Sequence, residues 1–116
     1  MLSLGRVTAS DVVYDLGSGD GRIPIEAARR HNAQGVGIEL DPKLVKLARD
    51  GAKRAGVQKQ VRFTKADIFK TDLSKATVVT LYLSPTINLR LREKLRRELR
   101  PGSRIVSHRF DMGDWK

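Results

Sequence analysis

Acidic and small residues crowd one short stretch, Asp15-Leu16-Gly17-Ser18-Gly19-Asp20-Gly21. An apolar run, Val12-Val13-Tyr14, leads into it, and a helix-like segment, Ile23 to His31, follows it. A strand feeding a glycine-rich turn that opens a helix is a nucleotide-binding arrangement. Glycine lets the backbone turn sharply and come close to a ligand, because no Cβ stands between them. The first helical turn then offers N–H groups that have no partner inside the helix. Two further acids share this kind of setting. Glu39 closes a second apolar run twenty residues past Gly19, where nucleotide-binding folds place the carboxylate that receives ribose hydroxyls. A carboxylate has lone pairs enough for two neighbouring hydroxyls. Asp67 closes a third run. Each feature also has a plainer reading: a turn without a ligand, a surface glutamate before a bend, a loop cap.

The elements that must position these residues can be read in order. Residues 1–10 form a stub. Val12 to Leu16 is a strand, apolar enough to be buried on both faces of a parallel sheet. Ile23 to Arg30 is a short helix with Pro24 in its first turn, where a missing N–H is harmless. Arg29, Arg30 and His31 close it, favourably for the helix dipole. Gly35 to Glu39 is the second strand. Asp41 caps the next helix and Pro42 opens it. Leu44, Val45, Leu47, Ala48, Ala52 and Ala55 repeat with helical period, and Gly56 ends the helix. Residues 61–67 read as a third strand, residues 68–75 as loop or a single turn, and Thr77 to Leu83 as the most β-prone run. Asn88 to Leu99 is helical, with Ile87, Leu91, Leu95 and Leu99 as an apolar stripe among arginines. Ile105 to Phe110 is a fifth strand. Alternating strands and helices predict an α/β, Rossmann-like parallel sheet of about five strands with helices on both faces. Ligands in such sheets bind beyond the carboxyl ends of the strands. Asp15, Glu39, Asp67 and Tyr82 all fall at or near those ends.

The bulk composition narrows the classes. A chain of 116 residues is expected to be one domain, 1–116. Hydrophobic residues make up 40% and aromatics number six, so the core must be mainly aliphatic. There is no cysteine, which removes disulfides, thiolate zinc sites and cysteine nucleophiles. No apolar run reaches the length of a membrane span, and a cytoplasmic location is the expectation. No metal ligand set is expected. The net charge of +10 fits either an anionic partner or a solvated coat of the kind found on heat-adapted proteins. Aromatic residues of the kind single-stranded nucleic-acid binders stack on are scarce.

The glycine spacing, D-x-G-x-G-x-G from Asp15 to Gly21, departs from the dinucleotide fingerprint, whose final small position is here Arg22. It resembles the first signature of class I S-adenosylmethionine (SAM) methyltransferases. That resemblance implies SAM as cofactor, with Asp15 near its amino-acid end, Asp67 receiving the adenine amino group, and Ile68 giving the adenine ring a backbone N–H and an apolar contact. The implied cofactor set is Asp15, Gly17, Ser18, Gly19, Gly21, Glu39, Leu40, Asp67, Ile68 and Tyr82. The stretch Thr80-Leu81-Tyr82-Leu83-Ser84-Pro85, with Leu95 to Gly102, Val106 to Phe110 and Trp115, resembles a narrower family. This comprises the small archaeal-type protein-lysine methyltransferases and their relatives acting on the ATP synthase c-subunit. It implies that Tyr82 lies beside the methyl-transfer point and serves catalysis; the competing reading packs Tyr82 at the sheet end. His108 and Trp115 are read as structural before they are read as channel residues. Set against the seven-stranded fold of that class, the chain is expected to be a core shortened at both ends.

The activity implied is methyl transfer from SAM to a lysine of a protein substrate. SAM carries its methyl on a sulfonium, so the cofactor supplies activation and the protein supplies placement. Exocyclic-amine methylases of nucleic acids resemble one another in an [N/D]-P-P-[aromatic] motif, whose place here reads Leu81-Tyr82-Leu83-Ser84-Pro85. An RNA or DNA methyltransferase with the same pocket remains the main alternative, supported by the arginine-rich helix. A non-catalytic SAM-binding fragment and a nucleotide-dependent oxidoreductase complete the field, Arg22 arguing against the last. The fifth strand leaves an open edge, so self-association through it is expected.

Overall fold

The computed structural model describes residues 7–81 and 85–107. Its elements run β1 (Val12–Leu16), α1 (Arg22–His31), β2 (Gln34–Glu39), α2 (Pro42–Arg54), β3 (Val61–Lys65), a single 3-10 turn (Ile68–Lys70), β4 (Val78–Leu81), α3 (Pro85–Glu98) and β5 (Arg104–Ser107). The five strands form one parallel sheet in the order β3-β2-β1-β4-β5. The order reverses between β1 and β4, which opens a crevice at the carboxyl ends of those two strands.

Residue parity on β1 decides which face meets which helix. Val13 joins Ala27, Ala33 and Val78 against α1. Leu16 joins Ile38, Val79, Leu81, Leu91 and Leu95 on the opposite face, which α3 covers. Beside α1, Val45, Ala48 and Ala52 of α2 pack on Val61 and Phe63. Both helices meet the sheet mainly through alanine and valine, so they lie close to it. Of the expected α3 stripe, Leu91 and Leu95 are buried and Leu99 is half-buried; the Ile87 side chain lies outside what the structure describes.

Several boundaries differ from expectation, each for a local reason. Helix α3 begins at Pro85 and not at Asn88, because proline is well accommodated in a first helical turn. Strand β3 ends at Lys65 because Asp67 leaves the ladder to cap the 3-10 turn, its side chain accepting from the Phe69 N–H. Strand β2 gains Gln34 by pairing with Val12. Asp41 and Pro42 behave as expected: the Asp41 carboxylate accepts from Lys43 N–H at 2.9 Å, and Pro42 is the first helical residue. Beyond Ser107, the remainder of the expected fifth strand, with His108 and Trp115, lies outside the described residues.

At the amino ends of the strands, Asp11 ties three segments together. One carboxylate oxygen accepts from the Thr77 hydroxyl at 2.7 Å and from the Arg104 guanidinium at 2.6 Å. The other accepts from Thr8 N–H at 2.8 Å. The Thr77 hydroxyl oxygen in turn accepts from Val12 N–H at 2.8 Å. The starts of β1, β4 and β5 are thereby fixed to one another.

Candidate cofactor site at the carboxyl rim

The rim is built by the way the glycine turn closes on β2. Gly17 and Ser18 both donate N–H bonds to the Ile38 carbonyl, at 2.8 and 3.1 Å. Gly19 N–H reaches one further residue and donates to Glu39 Oε1 at 2.8 Å. The second oxygen, Oε2, accepts from Asp41 N–H at 3.1 Å. Glu39 is thus held at both oxygens by backbone donors, and each oxygen keeps a lone pair for a ligand hydroxyl. Ala66 N–H donates to the Glu39 carbonyl, which brings the end of β3, and with it Asp67 and Ile68, alongside. Leu40, between Glu39 and the Asp41 cap, is 61% exposed.

Two glycines make this closure sterically possible. At Gly37 an added Cβ would stand 2.5 Å from the Phe63 ring and 2.7 Å from Ser18 Oγ. At Gly21, where φ is +85°, it would meet the same ring at 2.6 Å and Ala48 at 2.7 Å. The turn therefore packs against the Phe63 ring at Gly21 and against Gly37 at Ser18. Gly19 is the opposite case: with φ +58°, the place of its Cβ faces open space. A ligand can approach the backbone there, while the underside of the turn is filled.

The predicted residues divide accordingly. Gly17, Gly19, Gly21, Glu39, Leu40, Asp67 and Ile68 converge on the rim. Ser18 belongs to the underside: it is buried, and its hydroxyl, set against Gly37, has no hydrogen-bond partner among the described residues. Asp15 is only 2% exposed. It lies beneath the turn and accepts a 2.7 Å bond from the Thr80 hydroxyl of β4. Burial raises its pKa, the Thr80 bond offsets part of that, and the charges of Glu39 and Asp20 add to it, leaving it at about 6. Tyr82 lies outside the described residues, directly beyond the end of β4.

Thr80, Gly37 and Phe63 escape a reading of the sequence. Thr80 is the one polar residue in Val78-Val79-Thr80-Leu81, which is a visible signal; its partner is not visible, because the Asp15–Thr80 register depends on β4 crossing to the far side of β1. Among the described residues no cluster of three His, Cys, Asp or Glu is placed to hold a metal ion, and no helix is long and apolar enough to cross a membrane.

Two grooves lie away from the rim. One of about 460 Å³ runs between α3 and β5, with Leu95, Leu99 and Ile105 as its floor and Arg92, Arg96 and Arg100 along it. Another, of about 580 Å³, lies at the β3 edge, lined by Lys46, Arg49, Lys53 and Arg62.

The donor set at the rim suits an adenosine-bearing ligand: an open glycine backbone, a carboxylate fixed for a diol, a second carboxylate at the next strand end, and an exposed leucine. Comparison with known proteins gives the same answer. Residues 15–116 match the ANTKMT methyltransferase domain. A protein-lysine N-methyltransferase of Saccharolobus islandicus is 41% identical over 99% of this chain and 72% of its own length. The adenine nucleotide translocase lysine N-methyltransferase of Mus musculus is 40% identical; it is matched along the whole of this chain, which spans half of its length. Among solved structures, one from Salinibacter ruber, described as an RNA methyltransferase in complex with S-adenosyl-L-homocysteine, is 59% identical with a TM-score of 0.90. The match covers 97% of this chain and 74% of that one.

Proposed function

The chain belongs to the ANTKMT methyltransferase domain family, a group of SAM-dependent enzymes, and within it we propose that the acceptor is a lysine side chain of a protein. The observation that carries the cofactor assignment is the Gly19–Glu39 bond. It joins the glycine turn to the acid of the second strand, so one rigid unit presents both the open backbone and the diol-binding carboxylate. SAM, when bound, supplies a methyl group already activated on a sulfonium. The chain's own residues supply placement. Glu39 takes the ribose hydroxyls, Leu40 and Ile68 flank the adenine, Asp67 receives its amino group through the oxygen that Phe69 does not use, and the turn from Gly17 to Gly21 backs the amino-acid end.

A lysine acceptor must arrive without its proton, because an ammonium has no lone pair to attack with. Apolar surroundings and a neighbouring positive charge both favour the neutral amine. Tyr82, following directly on β4, is proposed to line the transfer point. The relatives named for lysine methylation support the acceptor class. The two partial coverages, 72% and half, make the activity of residues 1–116 by themselves part of the proposal.

A second reading has its own support. The Salinibacter ruber structure is described as an RNA methyltransferase, and α3 carries Arg92, Arg96, Arg97 and, just past its end, Arg100. The two readings part in one experiment: transfer of labelled methyl from SAM into lysine-bearing protein and, separately, into RNA, followed by hydrolysis and identification of the methylated unit. Label recovered as methyl-lysine supports the proposal. Label recovered only in nucleosides overturns it in favour of RNA.

Self-association is proposed through β5, an edge of the described sheet, where Ile105 is half exposed. Light scattering at high protein concentration is expected to give twice the chain mass or more, and a monomer mass contradicts this.

A further inference from the structure

Among the described residues, the carboxylate under the glycine turn has no counter-charge. Asp15 is 2% exposed, and its one hydrogen-bond partner among the described residues is a neutral hydroxyl, that of Thr80. No ion pair among the described residues includes it. The charged groups on the elements packed around it do not compensate it. Glu39, at the end of β2, is an acid, and so is Asp20 in the turn. At the start of α1, the Arg22 guanidinium is turned outward to Asp20 and almost wholly exposed. Glu26, further along α1, pairs with Arg29 and Arg30. With Asp67, four carboxylates thus share one end of the sheet, and Asp15, the deepest of them, accepts a single hydrogen bond among the described residues.

Resting on the assignment of SAM as cofactor, we propose that Asp15 is a charge-selecting residue: its ionisation is linked to the positive charge of the ligand, so this pocket favours SAM over its demethylated product. The two ligands differ in one respect that matters here. Both carry an ammonium and a carboxylate, which cancel, but SAM also carries the sulfonium and is a net cation. A cation seated over the turn stabilises the ionised form of Asp15 beneath it. Glu39 and Asp20 are reached by solvent, whereas Asp15 is sealed beneath the turn, where electrostatic effects are least screened. The proton that Asp15 gives up passes to the buffer, and no bond to the ligand forms. Once the methyl has been transferred, the charge that kept Asp15 ionised is gone and the proton returns, which weakens retention of the product.

Reciprocity makes this measurable without turnover. If SAM favours loss of a proton, loss of the proton must favour SAM to the same extent. Titration calorimetry with SAM and with S-adenosylhomocysteine, each in two buffers of different ionisation enthalpy, counts the protons exchanged. With Asp15 half protonated near pH 6, SAM is expected to release about half a proton there and close to none at pH 8. The product, which lacks the sulfonium charge, is expected to release clearly less than SAM at pH 6 and close to none at pH 8. Asp15→Asn is expected to abolish the release and to reduce the preference for SAM over product by about tenfold. Should that variant fail to fold, Thr80→Val provides the second test. It keeps the shape but removes the one bond that favours the charged form, so the pH midpoint of proton release moves upward. Equal proton release for the two ligands, or a midpoint that Thr80→Val leaves in place, overturns this inference alone. Absence of binding by both ligands overturns the cofactor assignment and this inference with it.

Discussion

Asp11 and Asp15 stand four residues apart, just before β1 and within its last turn of ladder, and they live in opposite electrostatic worlds. Both are buried. Burial alone would raise both, yet for Asp11 the Thr8 N–H, the Arg104 guanidinium and the Thr77 hydroxyl together outweigh it and hold the group at about 2. For Asp15 one hydroxyl is outweighed by burial and by two neighbouring acids, and the group rises to about 6. The amino rim of the sheet has had its charges settled by the protein. The carboxyl rim has not, and this is where parallel sheets take their ligands. The comparison teaches that the same residue type on the same strand can be a clasp at one end and part of a site at the other. What separates the two is how many donors reach each carboxylate: a backbone N–H, a guanidinium and a hydroxyl at Asp11, one hydroxyl at Asp15.

The clasp offers the largest effect. Asp11→Ala removes the carboxylate that accepts from Thr8 N–H, the Thr77 hydroxyl and the Arg104 guanidinium, and is expected to cost about 3 kcal/mol of stability. Denaturant unfolding measures this, and the folded fraction should bind SAM with unchanged affinity. Next is Glu39→Ala at the other rim. Loss of a charge-assisted pair of bonds is worth about 2 kcal/mol, so SAM binding should weaken by roughly thirtyfold in calorimetry, with stability altered far less. If Asp11→Ala weakened binding, or Glu39→Ala unfolded the chain, the division between the rims would be lost.

The pH dependence of stability sharpens the same contrast, because the two aspartates act with opposite sign. Asp11 is depressed on folding, so between about pH 4 and 2 the unfolded state binds more protons, and stability falls as acid is added. Asp15 is raised on folding, so between about pH 4 and 6 the folded state binds more protons, and stability falls as base is added. Thermal unfolding followed across pH 2–8 should show both arms. Asp15→Asn should flatten the upper arm only, and Asp11→Asn the lower arm only. The smallest effect is expected at Ser18. Its buried hydroxyl has no partner among the described residues, so Ser18→Ala should be neutral or stabilising by up to ~1 kcal/mol, by thermal unfolding.

How far the sequence reveals this arrangement follows from where the information lies. The strands, the Asp41 cap with Pro42, and the stripe through Leu91 and Leu95 depend on periods and caps a few residues long, and these are legible. The site was legible where glycine spacing and acids at strand ends mark it: Gly19 and Glu39 meet as their twenty-residue separation suggests. What stayed hidden depends on strand order and on depth. Asp11 has no visible tie to Arg104, ninety-three residues on, until β5 is placed beside β4. The pairing of Asp15 with Thr80 needs the crossover of β4. Asp15 reads from the motif as a residue at the rim, while the packing puts it beneath the turn with Ser18. Gly37 reads only as a member of the second strand, and the Phe63 ring and the Ser18 hydroxyl explain why it is glycine.

Everything at the carboxyl rim turns on whether the glycine turn and Glu39 together hold the cofactor. The most direct measurement is a crystal structure of this chain soaked with S-adenosylhomocysteine. The account predicts electron density over Gly19, with both ribose hydroxyls within hydrogen-bond distance of the Glu39 carboxylate. Density seated instead in the arginine-lined groove between α3 and β5, with Glu39 untouched, would contradict it.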